Sequence, residues 1–123
     1  MLGKTIVAAG GYTTAGDTGD NEGYNSTTNA WKSLANEAAP LHDSCSGVVT
    51  GIMYVAGGGL SPVTTTQSYT ATTNKWASLS AMPVATTAPG SAVANGQLFC
   101  VGGGDSTGPT GGNFYNNLQI YQP

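Results

Sequence analysis

Gly23-Tyr24-Asn25-Ser26-Thr27-Thr28-Asn29-Ala30-Trp31-Lys32-Ser33-Leu34 returns 45 positions later as Ser68-Tyr69-Thr70-Ala71-Thr72-Thr73-Asn74-Lys75-Trp76-Ala77-Ser78-Leu79. In both copies seven positions separate tyrosine from tryptophan. A glycine doublet precedes each tyrosine, Gly10-Gly11 and Gly57-Gly58, and a third stands at Gly102-Gly103 ahead of Tyr121. Self-similarity at a period of this length marks a repeat array, in which one supersecondary unit stacks beside copies of itself. The array fills the chain as a single unit, with approximate repeats 1–47, 48–94 and 95–123.

Within a repeat, the glycines close a short apolar run: Thr5 to Ala9, Ile52 to Ala56, and Gln97 to Val101. Five residues of this character are too few for a helix and suit a strand covered on both faces. A polar loop follows, from Tyr12 to Glu22, Leu60 to Gln67, or Asp105 to Asn117. Next comes the strand bearing Tyr24, Tyr69 or Tyr121. Asn, Ser and Thr then form a turn, because their side chains cap nearby backbone. The turn leads to a tryptophan strand, Ala30 to Leu34 or Lys75 to Leu79. Pro40, Pro83 and Pro89 mark the connections onward, and Gly47 to Thr50 or Ser91 to Ala94 supplies a further strand. No segment carries a helical period, so the class is all-β.

Composition narrows the function. Charged residues make up only 7% of the chain, against about 25% in an ordinary soluble domain. The 39% of hydrophobic residues and the regular glycine offsets nevertheless argue for a folded chain. Lys4, Lys32 and Lys75 are the only basic residues, and the net charge is −3. A nucleic-acid partner needs a basic stripe, so that class is excluded. No apolar run reaches the ~20 residues of a membrane-spanning helix. The start, running from Lys4 straight to the first glycine doublet, does not read as a signal peptide. The Thr/Ser/Asn-rich surface favours a secreted or envelope protein. Cys45 and Cys100 each read as small buried hydrophobes inside strands, with a bridge between neighbouring strands as the alternative.

The glycine doublets, the Tyr and Trp positions, and the Ala81-Met82-Pro83 passage after Trp76 together resemble the kelch repeat of β-propellers. That resemblance covers essentially the whole chain. It implies four-stranded antiparallel blades around a central channel, with Tyr24, Trp31, Tyr69, Trp76 and Tyr121 packed between blades. The basic residue common after the Met-Pro passage in that family is missing; Asp43 and Thr86 stand near its place. On the family's phase, the chain reads as second, third and fourth strands, then a complete blade, then first, second and third. About three blades is fewer than the roughly 4–8 of a closed propeller. Two apolar blade faces are thereby left bare, and self-association is the expected remedy. Two chains of 123 residues approach the ~270 residues of six such repeats. The expectation is a homodimer closing a six-bladed ring as a binding scaffold. The alternative is a fragment of a secreted carbohydrate-binding or carbohydrate-active propeller.

Candidate chemistry is sparse. His42 is the single histidine, and beside Asp43 and Ser44 it reads as an exposed loop residue rather than part of a triad. Copper radical oxidases with kelch propellers need several ligating His and Tyr residues, which this chain lacks. No catalytic residue and no cofactor is therefore expected. Asp17, Asp20 and Glu22 are candidate calcium ligands in a glycine-rich loop, although their spacing departs from the established loop pattern. Asn25-Ser26-Thr27 is a glycosylation sequon read first as a turn. Tyr24, Trp31, Tyr69 and Trp76 repeat too regularly for a ligand site. Tyr12, Phe114 and Tyr115, in the non-repeating loops, are the better ligand candidates alongside a protein or glycan partner.

Overall fold

The computed structural model describes residues 1–106 and 112–123, so part of the Asp105–Asn117 loop, residues 107–111, lies outside the described residues. The described chain is all-β. The first sheet contains β1 (Thr5–Ala9), β4 (Asn21–Asn25) and β5 (Ala30–Ser33) in that order. The second is a four-stranded meander of β6 (Cys45–Val49), β7 (Ile52–Ala56), β8 (Thr66–Thr70) and β9 (Lys75–Ser78). The third holds β10 (Gly90–Ala94), β11 (Gln97–Val101) and β12 (Leu118–Tyr121). Every pairing is antiparallel.

One feature departs from the sequence reading. The stretch Tyr12 to Glu22 is not a plain loop: β2 (Tyr12–Thr13) and β3 (Gly16–Asp17) form a small ribbon, and β4 begins already at Asn21. Two-residue strands carry no readable alternation, and the ribbon is held locally, with Thr13 Oγ1 donating to the Gly16 carbonyl.

The turns follow from their residues. β6–β7 and β10–β11 are joined by Thr50-Gly51 and Asn95-Gly96, all four at positive φ, the primed geometry that matches strand twist. In the longer turns, Asn29 and Asn74 take φ of 52° and 53°. Tyr24 Oη donates to Asn29 Oδ1 and Tyr69 Oη to Asn74 Oδ1, each at 2.8 Å, so both copies lock the same turn. The Asn25 side chain of the sequon accepts from the Thr27 and Thr28 amides, again a turn role.

The main core lies between the second and third sheets, where Cys45, Val49, Tyr54, Ala56, Met82, Leu98 and Cys100 are buried together. Here the reading of two free buried thiols is corrected: Cys45 and Cys100 form a disulfide, and it joins two sheets rather than neighbouring strands of one. Tyr54 and Tyr121 pack across the same interface with ring centroids 5.2 Å apart. Gly47 permits this approach, since a Cβ there would sit 2.4 Å from Val93 Cγ2 and 2.8 Å from Leu98 Cδ1.

Candidate functional site

Strand register sorts the side chains into rows that cross each sheet. Met53–Tyr69–Trp76 and Val55–Gln67–Ser78 form two rows on one face of the second sheet. That face meets the first sheet and the connection that leaves it. Trp76 Nε1 donates to the Ala35 carbonyl at 2.8 Å. Gln67 brackets Ala39, donating to its carbonyl and accepting from its amide. Tyr69 is fully buried. Gln119 brackets Val84 in the same two-bond manner at the next interface.

The first sheet carries matching rows, Ile6–Tyr24–Trp31 and Ala8–Glu22–Ser33. Tyr24 stacks on Trp31 at 5.1 Å, much as Tyr69 stacks on Trp76 at 5.2 Å. No sheet lies on this face, however, and Trp31 is 57% exposed. Glu22 occupies the place of Gln67 and Gln119 and is exposed. At the other end of the molecule, Phe99–Ile120 and Val101–Leu118 hold the places that Tyr54–Ser68 and Ala56–Thr66 hold in the second sheet. Val101, Leu118 and Ile120 are all about half exposed. Of the aromatic positions expected to pack, Tyr69, Trp76 and Tyr121 find a neighbouring sheet, whereas Tyr24 and Trp31 face outward.

A second feature lies where the first two sheets meet, at the glycine-doublet end. The 41–44 backbone is clamped from both sides: the Gly11 amide donates to the Leu41 carbonyl, the Gly59 amide to the His42 carbonyl, and Ser44 Oγ to the Gly57 carbonyl. These approaches need glycine, because a Cβ on Gly10 or Gly58 would lie 2.3 Å from the Leu41 or His42 carbonyl oxygen. Both residues also have positive φ.

The clamp turns His42 inward, and its expected exposed position is corrected: only 9% of the residue is accessible. His42 Nδ1 pairs with Asp17 Oδ1 at 2.5 Å, and the Tyr12 ring tilts against the imidazole at 4.9 Å. A carboxylate can only accept, so Nδ1 carries a proton in this pair. Asp17 comes from β3, so the ribbon missed in the sequence is what builds this pair.

Glu37 sits beside it, 6% exposed, with Oε2 accepting from the Leu41 amide. Burial pushes its carboxyl up to about 7; the Leu41 hydrogen bond opposes the rise and the charge of Asp17 adds to it. The folded protein therefore holds this proton more tightly than the unfolded chain, and stability falls as pH rises between about 4.5 and about 7. The span corresponds to about 3 kcal/mol. Glu37→Gln is expected to remove that decline in urea melts at pH 5 and pH 8, and an unchanged pH dependence would contradict the assignment.

The carboxylates named as calcium candidates diverge. Asp17 turns to His42, Asp20 accepts from the Asn36 side chain, and Glu22 lies on the open face of the first sheet. Among the described residues no group of three metal-ligating side chains forms. Of the loop aromatics, Tyr12 is exposed over His42, Phe114 is 94% exposed beyond the third sheet, and Tyr115 is half-buried. Spacing along the chain offered no signal for Glu37 or for the Asp17–His42 pair, which are brought together only by the fold.

No protein-family profile and no curated protein matches the chain. Among solved structures it is similar to one titled "Structure of YjhT", with a TM-score of 0.73 and 23% identity over 86% of this chain. The likeness is one of fold, and the chain spans about a third of that protein, 33% of its length.

Proposed function

We propose that the chain is a kelch-like β-propeller segment that acts as a binding scaffold rather than an enzyme. Its two bare faces dock head-to-tail on those of a second copy and close a six-bladed ring. The observation that carries this reading is the relation between those faces. The outward rows of the first sheet are those with which the second sheet meets the first. The outward rows of the third sheet stand where the second sheet receives the third. They are the two halves of one kind of interface, separated to opposite ends of a molecule. Two different patches make a heterologous contact, and such contacts form closed rings when the rotation suits. Half-exposed Trp31, Val101, Leu118 and Ile120 supply the apolar area that drives it. The disulfide favours an oxidising compartment, as in secreted and envelope proteins.

A mixing experiment tests the head-to-tail geometry. Trp31→Glu and Val101→Glu each spoil one face, and each variant alone is expected to sediment as a monomer. Mixed, they retain one intact pair of faces and are expected to form a heterodimer. If neither variant changes the mass, or if mixing restores nothing, this geometry is wrong.

A second reading has its own support. Gln67 and Gln119 grip the connection that follows a neighbouring sheet, and Trp76 also binds such a connection. A covering sheet with a complete fourth strand and its connection would offer the same grip to Trp31 and Glu22. That favours further repeats of one longer polypeptide, and the chain's span of only a third of its structural neighbour agrees. On this reading it belongs to a larger secreted propeller that binds or processes carbohydrate.

A further inference from the structure

The three sheets share one pattern of rows, and one place in that pattern changes its chemistry. Gln67 stands in the row Val55–Gln67–Ser78, Gln119 in Cys100–Gln119, and Glu22 in Ala8–Glu22–Ser33. Both glutamines are buried where one sheet meets the next, each with one donated and one accepted backbone bond. Gln119 also shows what a residue in this place meets, because it shares a small cleft with Ala56 and Thr66 of the second sheet. Val101 and Leu118 hold the places of Ala56 and Thr66 on the bare face of the third sheet. Head-to-tail docking therefore sets Glu22 of one copy against Val101 and Leu118 of the other. Both are aliphatic and about half exposed in the single chain.

A neutral carboxamide suits that position, and a carboxylate does not. Burial against aliphatic groups without a cation strongly disfavours the charged form. No cation is at hand on either side. β1 and β5 flank Glu22 with Ala8 and Ser33. Lys32 pairs with Gly23 and so projects from the opposite face. Lys4 lies in the turn before β1, and Lys75 on β9 in the sheet behind. Asp20, two residues earlier, lines the same polar cleft as Glu22 and adds a second negative charge. From the other copy, β10, β11 and β12 bring no charged residue at all. A protonated carboxyl, by contrast, has a donor and an acceptor, as a carboxamide has.

We infer that Glu22 makes the docking of a second copy on the first sheet proton-dependent: the two chains close with this carboxyl protonated and separate as it ionises. The inference rests on the head-to-tail reading above and adds its regulation. The docked carboxyl holds its proton more tightly than the free one, so docking takes up a proton. It is favoured at low pH and weakens as pH rises.

Sedimentation equilibrium of the intact oxidised chain at pH 5 and pH 8 tests this. The dimer dissociation constant is expected to be higher at pH 8 by about tenfold or more. Glu22→Gln, an isosteric change at an exposed side chain, is expected to remove most of that difference by tightening the dimer at pH 8. Ionisation of Glu37 destabilises both proteins alike between about 4.5 and about 7, so the difference between them reports Glu22. Leu118→Lys places a cation opposite Glu22 and is expected to reverse the dependence, with the tighter dimer at pH 8. Parent dimers equally tight at both pH values would overturn the inference and leave the head-to-tail reading standing. So would the parent's pH dependence persisting in Glu22→Gln or in Leu118→Lys. Monomers at both pH values, in the parent and in Glu22→Gln alike, would overturn that reading and this inference with it.

Discussion

Replacing Cys45 and Cys100 together by alanine is expected to cost about 4 kcal/mol. The bond closes a chain segment of 55 residues. Loop-closure entropy for a ring of that size gives about 4 kcal/mol at room temperature on the chain-entropy model. The site also matters. The third sheet has three strands, one face open to solvent and the other against the second sheet. The disulfide is the covalent tie between those two sheets, in the centre of the main core. Alanine avoids leaving a buried hydroxyl, so the measured loss reports the cross-link and the sulfur packing. Urea melts of the variant beside the oxidised chain provide the check. A loss below about 1 kcal/mol would mean that packing alone fixes the third sheet.

The second large effect is a contrast between two residues that sequence makes equivalent. Tyr69→Ala is expected to destabilise the chain by about 3–5 kcal/mol, the range for a large buried aromatic. Its ring is fully buried between the first two sheets, stacks on Trp76, and its hydroxyl holds Asn74. Tyr24 holds the equivalent place in its repeat, stacks on Trp31 in the same way and makes the corresponding hydroxyl bond to Asn29. It is half-buried on a face that no sheet covers, so Tyr24→Ala is expected to cost the isolated chain about 1 kcal/mol, the value of a partly exposed stacking and hydrogen-bonded pair. Its main effect is expected on assembly, where it removes part of the docking face. Equal destabilisation by the two variants at concentrations where the chain is a monomer would show that Tyr24 is as well packed as Tyr69.

That contrast also marks how far the sequence could be read. The strands Thr5–Ala9, Ile52–Ala56 and Gln97–Val101 were legible to the residue, because an apolar run bounded by glycines has few alternatives. The turns that hold Asn29 and Asn74 were legible because Asn, Ser and Thr, whose side chains cap nearby backbone, stand between two strand patterns. Repetition placed Tyr24 and Tyr69 at one structural position, but burial depends on what lies opposite, and that is a property of neighbouring sheets rather than of the repeat. The β2–β3 ribbon is too short to carry a period. Without it, His42 had no visible reason to turn inward, since its partner Asp17 lies 25 residues away. The Cys45–Cys100 bond joins different repeats, and nothing in a separation of 55 residues specifies pairing. Glu37 reads as an ordinary polar loop residue until the glycine doublets bring the 35–44 connection against the first sheet.

Sedimentation velocity on the purified, oxidised 123-residue chain at low micromolar concentration tests the central proposal most directly. Two bare complementary faces predict one species of about 25 kDa, twice the 12.3 kDa chain. A sharp boundary at the single-chain mass, unchanged as concentration rises, would show that a sister copy does not cover these faces.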